Sequence, residues 1–156
     1  MNQLRRTFLK STTAAGTVAM AIAAGLLKPG QVLAAEWNKN AFDAKNLADA
    51  MKGINATGAA KSADILIKAP EIAENGAVVP VEVTSKIAGT TDIAIFVDQN
   101  VNPMIADFTF SNGAEGFVST RIKMAKNSNV TVVVKAGGKS YMTAKEVKVT
   151  IGGCGG

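Results

Sequence analysis

From Ala63 onward, short runs rich in β-branched and aromatic residues alternate with turn-forming residues, a pattern that predicts β-strands. In one run, four residues alternate with polar or differently directed neighbours, so one face of the strand is predicted to be buried: Val118, Thr120, Ile122 and Met124. About seven runs can be distinguished, at residues 64–68, 78–84, 92–97, 104–110, 117–124, 130–135 and a last run that ends at Ile151. Seven short strands in a chain of this size favour an all-β fold, an immunoglobulin-like antiparallel β-sandwich.

A short helix is predicted before the strands. Four apolar residues recur at helical spacing on one face, namely Leu47, Ala50, Met51 and Ile54. Asn40 can cap this helix, Asp43 then falls in its first turn, and Gly53 can end it. We expect a short N-terminal helix that packs on the edge of the sandwich.

The charge of the chain is concentrated at its start. The net charge is +5, but four basic residues and no acidic residue precede Ala35. The 13 basic and 12 acidic residues that remain leave a net charge of only +1. A neutral domain with few aromatic residues lacks the phosphate-neutralising charge and the stacking surface that nucleic-acid binding needs. We expect no nucleic-acid partner.

Histidine is absent from the chain. Its absence excludes the commonest general base, the imidazole ligands of zinc and cupredoxin copper sites, and every nucleophile–histidine pair. Copper(I) binding with Cys154 is an alternative, but the three candidate methionines have apolar neighbours that favour a core-filling role: Met104, Met124 and Met142. The acidic residues are scattered, without the spacing of a catalytic carboxylate pair. The sequence therefore predicts no cofactor, no metal site and no catalytic residue.

The first 34 residues resemble a twin-arginine export signal. The residues that carry the motif are Arg5, Arg6, Phe8 and Leu9. A mild apolar run of roughly fourteen residues follows at 14–27, and it is too short and too rich in Ala and Gly for a stable membrane span. Residues 32–34 fit a signal-peptidase site, so we expect cleavage after Ala34. The alternative is an uncleaved, basic amphipathic N-terminal helix.

The twin-arginine route exports folded proteins. Such export is needed when a cofactor, or a partner without its own signal, must be attached first. Because this chain offers no cofactor ligands, we expect a periplasmic protein that is exported with a partner subunit and has no stable membrane association after cleavage. Structural cysteines in an oxidising compartment normally come in pairs, whereas Cys154 is the only cysteine of the chain.

The chain ends in Gly-Gly-Cys-Gly-Gly. Four of these residues have almost no side chain to bury and the largest conformational entropy to lose: Gly152, Gly153, Gly155 and Gly156. We expect a flexible arm that holds Cys154 in solvent, and three residues beyond Ile151 would reach roughly 10 Å when extended. The predicted organisation is a signal peptide at 1–34, a sandwich with its helix at 35–151 and a carrier arm at 152–156.

Two further roles for Cys154 compete with a carrier function. It can be a stray cysteine on a frayed terminus, or it can join two copies of an exported structural sandwich through an intermolecular disulfide. The symmetric glycine pairs favour a functional arm, because a structural disulfide does not need one. The thiol has no activating group nearby in sequence, where Lys148 is the nearest basic residue. We therefore expect a carrier that partner enzymes act on.

Four segments of the chain carry a family pattern: residues 74–80, 100–106, 119–124 with 129–130, and 147–156. With them the sequence resembles the SoxY family, the sulfur-carrying subunits of SoxYZ complexes in periplasmic thiosulfate oxidation. The glycine-rich ending is the most specific part of this likeness. The loop at 100–103 carries Val101 where the family usually has the first proline of Asn-Pro-Asn-Pro, which leaves the tail untouched.

The resemblance implies a covalent sulfur cycle on Cys154. In that cycle the haem enzyme SoxXA joins thiosulfate oxidatively to the cysteine, and the hydrolase SoxB then releases sulfate. The remaining sulfane sulfur is oxidised by SoxCD where that enzyme exists, or passed elsewhere where it does not. The resemblance also implies an immunoglobulin-like fold and a heterodimer with SoxZ, a smaller sandwich without its own signal.

Overall fold

The computed structural model describes residues 38–150. Two short helices begin it, α1 (Lys39–Phe42) and α2 (Leu47–Gly53). Asn38 caps α1 by accepting a hydrogen bond from the Ala41 N–H, and Asn46 caps α2 by accepting one from the Asp49 N–H.

The prediction that Asn40 caps a single helix was therefore wrong. Asn40 lies inside α1, and Asp43 is the C-cap of α1 rather than part of a first turn. Three asparagines within nine residues could each serve as a cap, and spacing alone does not choose among them. The predicted apolar face is confirmed, because Ala50 and Ile54 are fully buried.

Nine strands follow the helices between Ala60 and Val149, within the described residues. The seven predicted runs are confirmed, and the structure adds two strands of two residues each. In chain order the strands are β1 (Ala60–Lys61), β2 (Ile65–Lys68), β3 (Ile72–Ala73), β4 (Val79–Ser85), β5 (Thr90–Val97), β6 (Met104–Thr109), β7 (Phe117–Ile122), β8 (Ser128–Ala136) and β9 (Lys139–Val149).

The strands form two sheets. The larger sheet has the order β1-β9-β8-β5-β6, with β3 also paired to β9, and the smaller sheet has the order β2-β4-β7. All pairings are antiparallel except those of β1 and β3, which run parallel to β9. The predicted immunoglobulin-like sandwich is confirmed.

The core between the sheets follows the period of two. On β4, the side chains of Val79, Val81 and Val83 are fully buried, whereas Pro80 lies outside and is exposed. Val130, Val132 and Val134 face them from β8. Alternating valines therefore hold the two sheets together by apolar burial.

A second apolar cluster lies on the opposite face of the larger sheet, where the helices pack. Phe96 and Val133 contribute from the sheet, and Ala41, Ala50 and Ile54 contribute from the helical segment. Strands β5 and β8 are thus covered on both faces, which explains why they are continuous apolar runs rather than alternating ones. Between residues 38 and 150, neither helix has the length or apolar character to cross a bilayer.

Candidate functional site

The residues to which the sequence assigns chemistry or export lie outside the described part of the chain. They are Cys154, Gly152, Gly153, Gly155, Gly156, Arg5, Arg6, Phe8 and Leu9. The structure does describe the place from which the C-terminal residues continue, because β9 ends at Val149 and Thr150 follows it. We call the group of residues that hold 148–150 the exit site.

Main-chain pairing of β9 continues closer to its C-terminal end on one edge than on the other. Its last pair with β8 is Ser128↔Val147. On the other edge, β3 continues the pairing with Ile72↔Lys148 and Ala73↔Val149. The two-residue strand β3 therefore extends the support of β9 to the last residues before the predicted arm.

Hydrogen bonds hold the chain up to Thr150. The Lys148 N–H donates to the Glu71 carbonyl at 2.9 Å, and the Thr150 N–H donates to the Ala73 carbonyl at 3.0 Å. The Thr150 hydroxyl also donates to the Glu74 carbonyl at 3.1 Å. Main chain and side chain together fix the last described residue against the segment around β3.

Asn127 supports the opposite edge of the strand, where β8 no longer pairs. Its side-chain oxygen accepts a hydrogen bond from the Val149 N–H at 2.8 Å. The side chain thus takes the place of a main-chain partner for that amide. Asn127 was not among the residues predicted from the sequence, where its only signal is its position in a polar turn.

Gly76 lies beneath this strand end, in a position that has no room for a side chain. A Cβ atom on Gly76 would lie 2.5 Å from the Met124 carbonyl oxygen and 2.7 Å from Cγ1 of Val149. The Met124 N–H also donates to the Gly76 carbonyl at 2.7 Å. Asn75 shapes the preceding turn, because its side-chain oxygen accepts from the Ala77 N–H at 2.9 Å.

The loop at residue 100 holds the same segment from the other side. The Asn100 side chain donates to the Lys123 carbonyl at 2.8 Å and accepts from the Ala125 N–H at 3.0 Å. It therefore brackets Met124, whose side chain is fully buried. Four of the segments that carry the family resemblance thus meet around the exit site. Residues 74–80 contact both 119–124 and 147–150 through Gly76, and 100–106 joins them through Asn100.

The charged side chains around the exit site are of both signs. Glu71 and Glu74 lie on the β3 side, and Lys123, Lys126 and Lys148 lie on the neighbouring segments, all of them exposed. Within 38–150 no three acidic side chains group in a way that could hold a metal ion. Met104 and Met124 are buried in the two apolar clusters and Met142 is half-buried, so their predicted role as core residues is confirmed.

An open groove of about 490 Å³ lies elsewhere, between the edge strands β6 and β7. Its lining residues are Asp107, Phe108, Thr109, Phe110, Phe117, Val118 and Ser119. Partial burial raises the pKa of the Asp107 carboxyl, an effect that the Lys135 ammonium opposes and the Asp92 carboxylate reinforces. Ser119 is five residues from Met124, or about 17 Å along an extended chain, so the groove is separate from the exit site.

Comparisons with known proteins give two kinds of similarity. A family model described as "Sulfur oxidation protein SoxY" matches residues 51–154. The sulfur carrier protein SoxY from Chlorobium limicola f thiosulfatophilum is similar at 48% identity and a TM-score of 0.58, over 66% of this chain and 96% of that one. The superoxide reductase (neelaredoxin) from Ignicoccus hospitalis shares the fold alone, at 22% identity and a TM-score of 0.50, over 62% of this chain and 92% of that one. A search of curated proteins gave no match.

Proposed function

This chain belongs to the SoxY family of sulfur oxidation proteins, and we propose that it is a sulfur carrier that holds thiosulfate-derived sulfur covalently on Cys154. The observation that carries the proposal is the extent of the family match, which runs through the sandwich and up to Cys154 itself. The C. limicola protein, described as a sulfur carrier, supports the same function.

The chemistry of loading needs a thiolate and an oxidant. The Cys154 thiolate and thiosulfate join through a new sulfur–sulfur bond, and two electrons leave to the haem enzyme SoxXA. Hydrolysis by SoxB then adds water, releases sulfate and two protons, and leaves a persulfide on Cys154. SoxCD oxidises that sulfane sulfur where it is present. Each step uses the catalytic groups of a partner, so the chain is a covalent substrate carrier rather than an enzyme.

The exit site suits a carrier because the chain is anchored up to Thr150. From Thr150 to Cys154 there are four residues, which span at most about 14 Å. Glycine at 152, 153, 155 and 156 keeps this segment narrow and leaves it many conformations. A fixed base followed by a glycine-rich segment without bulky side chains would let one thiol enter several narrow active sites in turn.

Export and partnership complete the proposal. The motif of Arg5, Arg6, Phe8 and Leu9 supports folded export by the twin-arginine pathway to the periplasm, with cleavage after Ala34. The stable partner is SoxZ, which has no signal of its own and would be carried across in a heterodimer. Contacts with SoxXA, SoxB and SoxCD are transient.

Intact-mass measurement of the purified protein tests the function. After mild reduction, incubation with thiosulfate and the cognate cytochrome should add one thiosulfate unit to wild-type protein and nothing to Cys154→Ser. A second variant combines Gly152→Cys with Cys154→Ser, which keeps a thiol on the tail but shortens its reach by about 7 Å. It should react normally with a small disulfide reagent and load slowly from the enzyme.

Two results would reject the carrier function. One is thiosulfate oxidation that survives Cys154→Ser at the wild-type rate. The other is a wild-type protein isolated as a disulfide-linked pair of identical chains that stays linked during turnover, which would instead support a structural sandwich joined through Cys154.

A further inference from the structure

Five large apolar side chains are exposed in the described part of the chain, and they fall into two groups. Leu66 and Phe117 are 45% and 48% exposed and lie on the outer face of the smaller sheet, where both flank Thr84. Ile72, Val78 and Val101 are 59%, 49% and 75% exposed. The second group lies on the segments that build the exit site.

Ile72 is paired directly with the exit site, and Val78 and Val101 adjoin residues that support it. Ile72 pairs with Lys148 in the parallel ladder of β3 and β9. The Val78 N–H donates to the Asn75 carbonyl, one residue before Gly76 and its close approach to Val149. Val101 follows Asn100, whose side chain brackets Met124.

The length of chain beyond Thr150 decides what must approach this surface. Cys154 can be at most about 14 Å from Thr150. An enzyme that takes the thiol into a channel therefore has to bring the mouth of that channel against the end of the sandwich where the chain leaves it. Any such enzyme covers the segments that surround the exit site.

Resting on the proposed function, we propose that Ile72, Val78 and Val101 form the docking surface for the enzymes that act on Cys154. Protein interfaces bury apolar side chains at the centre and keep charged residues at the rim. The exit site has this composition, with apolar side chains flanked by the exposed lysines and glutamates of both signs. The partner that fits is a protein with an apolar collar around the opening of a narrow active-site channel.

Serine substitutions test the surface without changing the thiol. Val78→Ser and Val101→Ser should each raise the KM of the thiosulfate-conjugating enzyme for the carrier about fivefold, since each removes apolar contact area from the interface. The kcat, the Tm and the reaction of Cys154 with a small disulfide reagent should stay unchanged. Leu66→Ser is the matched control, because it removes a similarly exposed aliphatic side chain from the other group.

The outcome separates this inference from the function on which it rests. If wild-type protein is not loaded on Cys154 at all, the proposed function fails. If wild-type protein is loaded normally and Val78→Ser and Val101→Ser raise KM no more than Leu66→Ser, only the docking surface is refuted. Loss of a stably co-purifying subunit from these two variants would also refute it, because the surface would then belong to a permanent interface.

Discussion

Gly76→Ala should disturb the exit site more than its single added methyl group suggests. The new Cβ would lie 2.5 Å from the Met124 carbonyl oxygen and 2.7 Å from Cγ1 of Val149, closer than the 3.0 Å that real Cβ atoms keep. The side chain of Val149 can rotate, but the Met124 oxygen belongs to the main chain. Relief therefore requires a backbone shift in the segment that Asn100 brackets.

The expected cost combines overpacking with a weakened hydrogen bond. Inserting a methyl group into a filled site costs about 1–3 kcal/mol, and loss of the 2.7 Å bond from the Met124 N–H to the Gly76 carbonyl would add about 1 kcal/mol. We expect the free energy of unfolding to fall by about 2–4 kcal/mol and the Tm by about 10 °C. Amide hydrogen exchange at Val149 and Thr150 should accelerate.

Two variants serve as controls for this prediction. Gly116→Ala places a Cβ 3.0 Å from the Cβ of Ser85, a milder contact on another part of the sandwich, and it should leave exchange at Thr150 unchanged. Val149→Ala combined with Gly76→Ala removes the clash with Cγ1 and should recover part of the loss. A Gly76→Ala protein as stable as wild type, or one that is destabilised without faster exchange at Thr150, would refute the reasoning.

Two further predictions concern single polar side chains. Asn127→Ala should speed hydrogen exchange of the Val149 amide about fivefold, the equivalent of one hydrogen bond of about 1 kcal/mol. Asn127→Asp keeps an acceptor, so its Val149 amide should exchange at the wild-type rate. Equal exchange rates in wild type and both variants would contradict this prediction. Asp107 should make the free energy of unfolding depend on pH. Partial burial raises the pKa of its carboxyl above the ordinary 3.8, so the folded protein binds this proton more tightly than the unfolded chain does. The resulting stabilisation is present at low pH and is lost as pH rises through the raised pKa. Chemical unfolding of Asp107→Asn should therefore match wild type below pH 3.8 and exceed it in stability at neutral pH, and a difference that is constant with pH would argue against it.

Much of the fold could be predicted because the sandwich core follows local sequence periodicity. The alternation of Val118 with Ser119, and the turn residues between runs, reflect one buried face and can be recognised without a partner strand. The run at 93–97 is apolar at every position, which indicates a strand that is buried on both faces. Such a strand requires a further layer of structure on the outer face of its sheet, and the prediction did not use this signal. That layer is the pair of short helices.

The features that could not be predicted depend on residues distant in sequence. Strand β3 consists of two residues and exists because β9 passes beside it, 76 residues later at Lys148. Asn127 gains its role only where β8 stops pairing with β9, and Gly76 only through its contact with Val149. The choice among Asn38, Asn40 and Asn46 as caps likewise depended on how the helices pack, not on the local pattern.

The long ladder between β8 and β9 has a mechanical consequence. It runs from Ser128↔Val147 to Ala136↔Lys139, and its hydrogen bonds lie across the strand direction. A force applied to the C-terminal end along β9 would load these bonds together, in shear, rather than unzip them one after another. If the proposed cycle draws the tail out of a tight cleft, the pull would be shared along the β8–β9 ladder instead of peeling β9 away from its end.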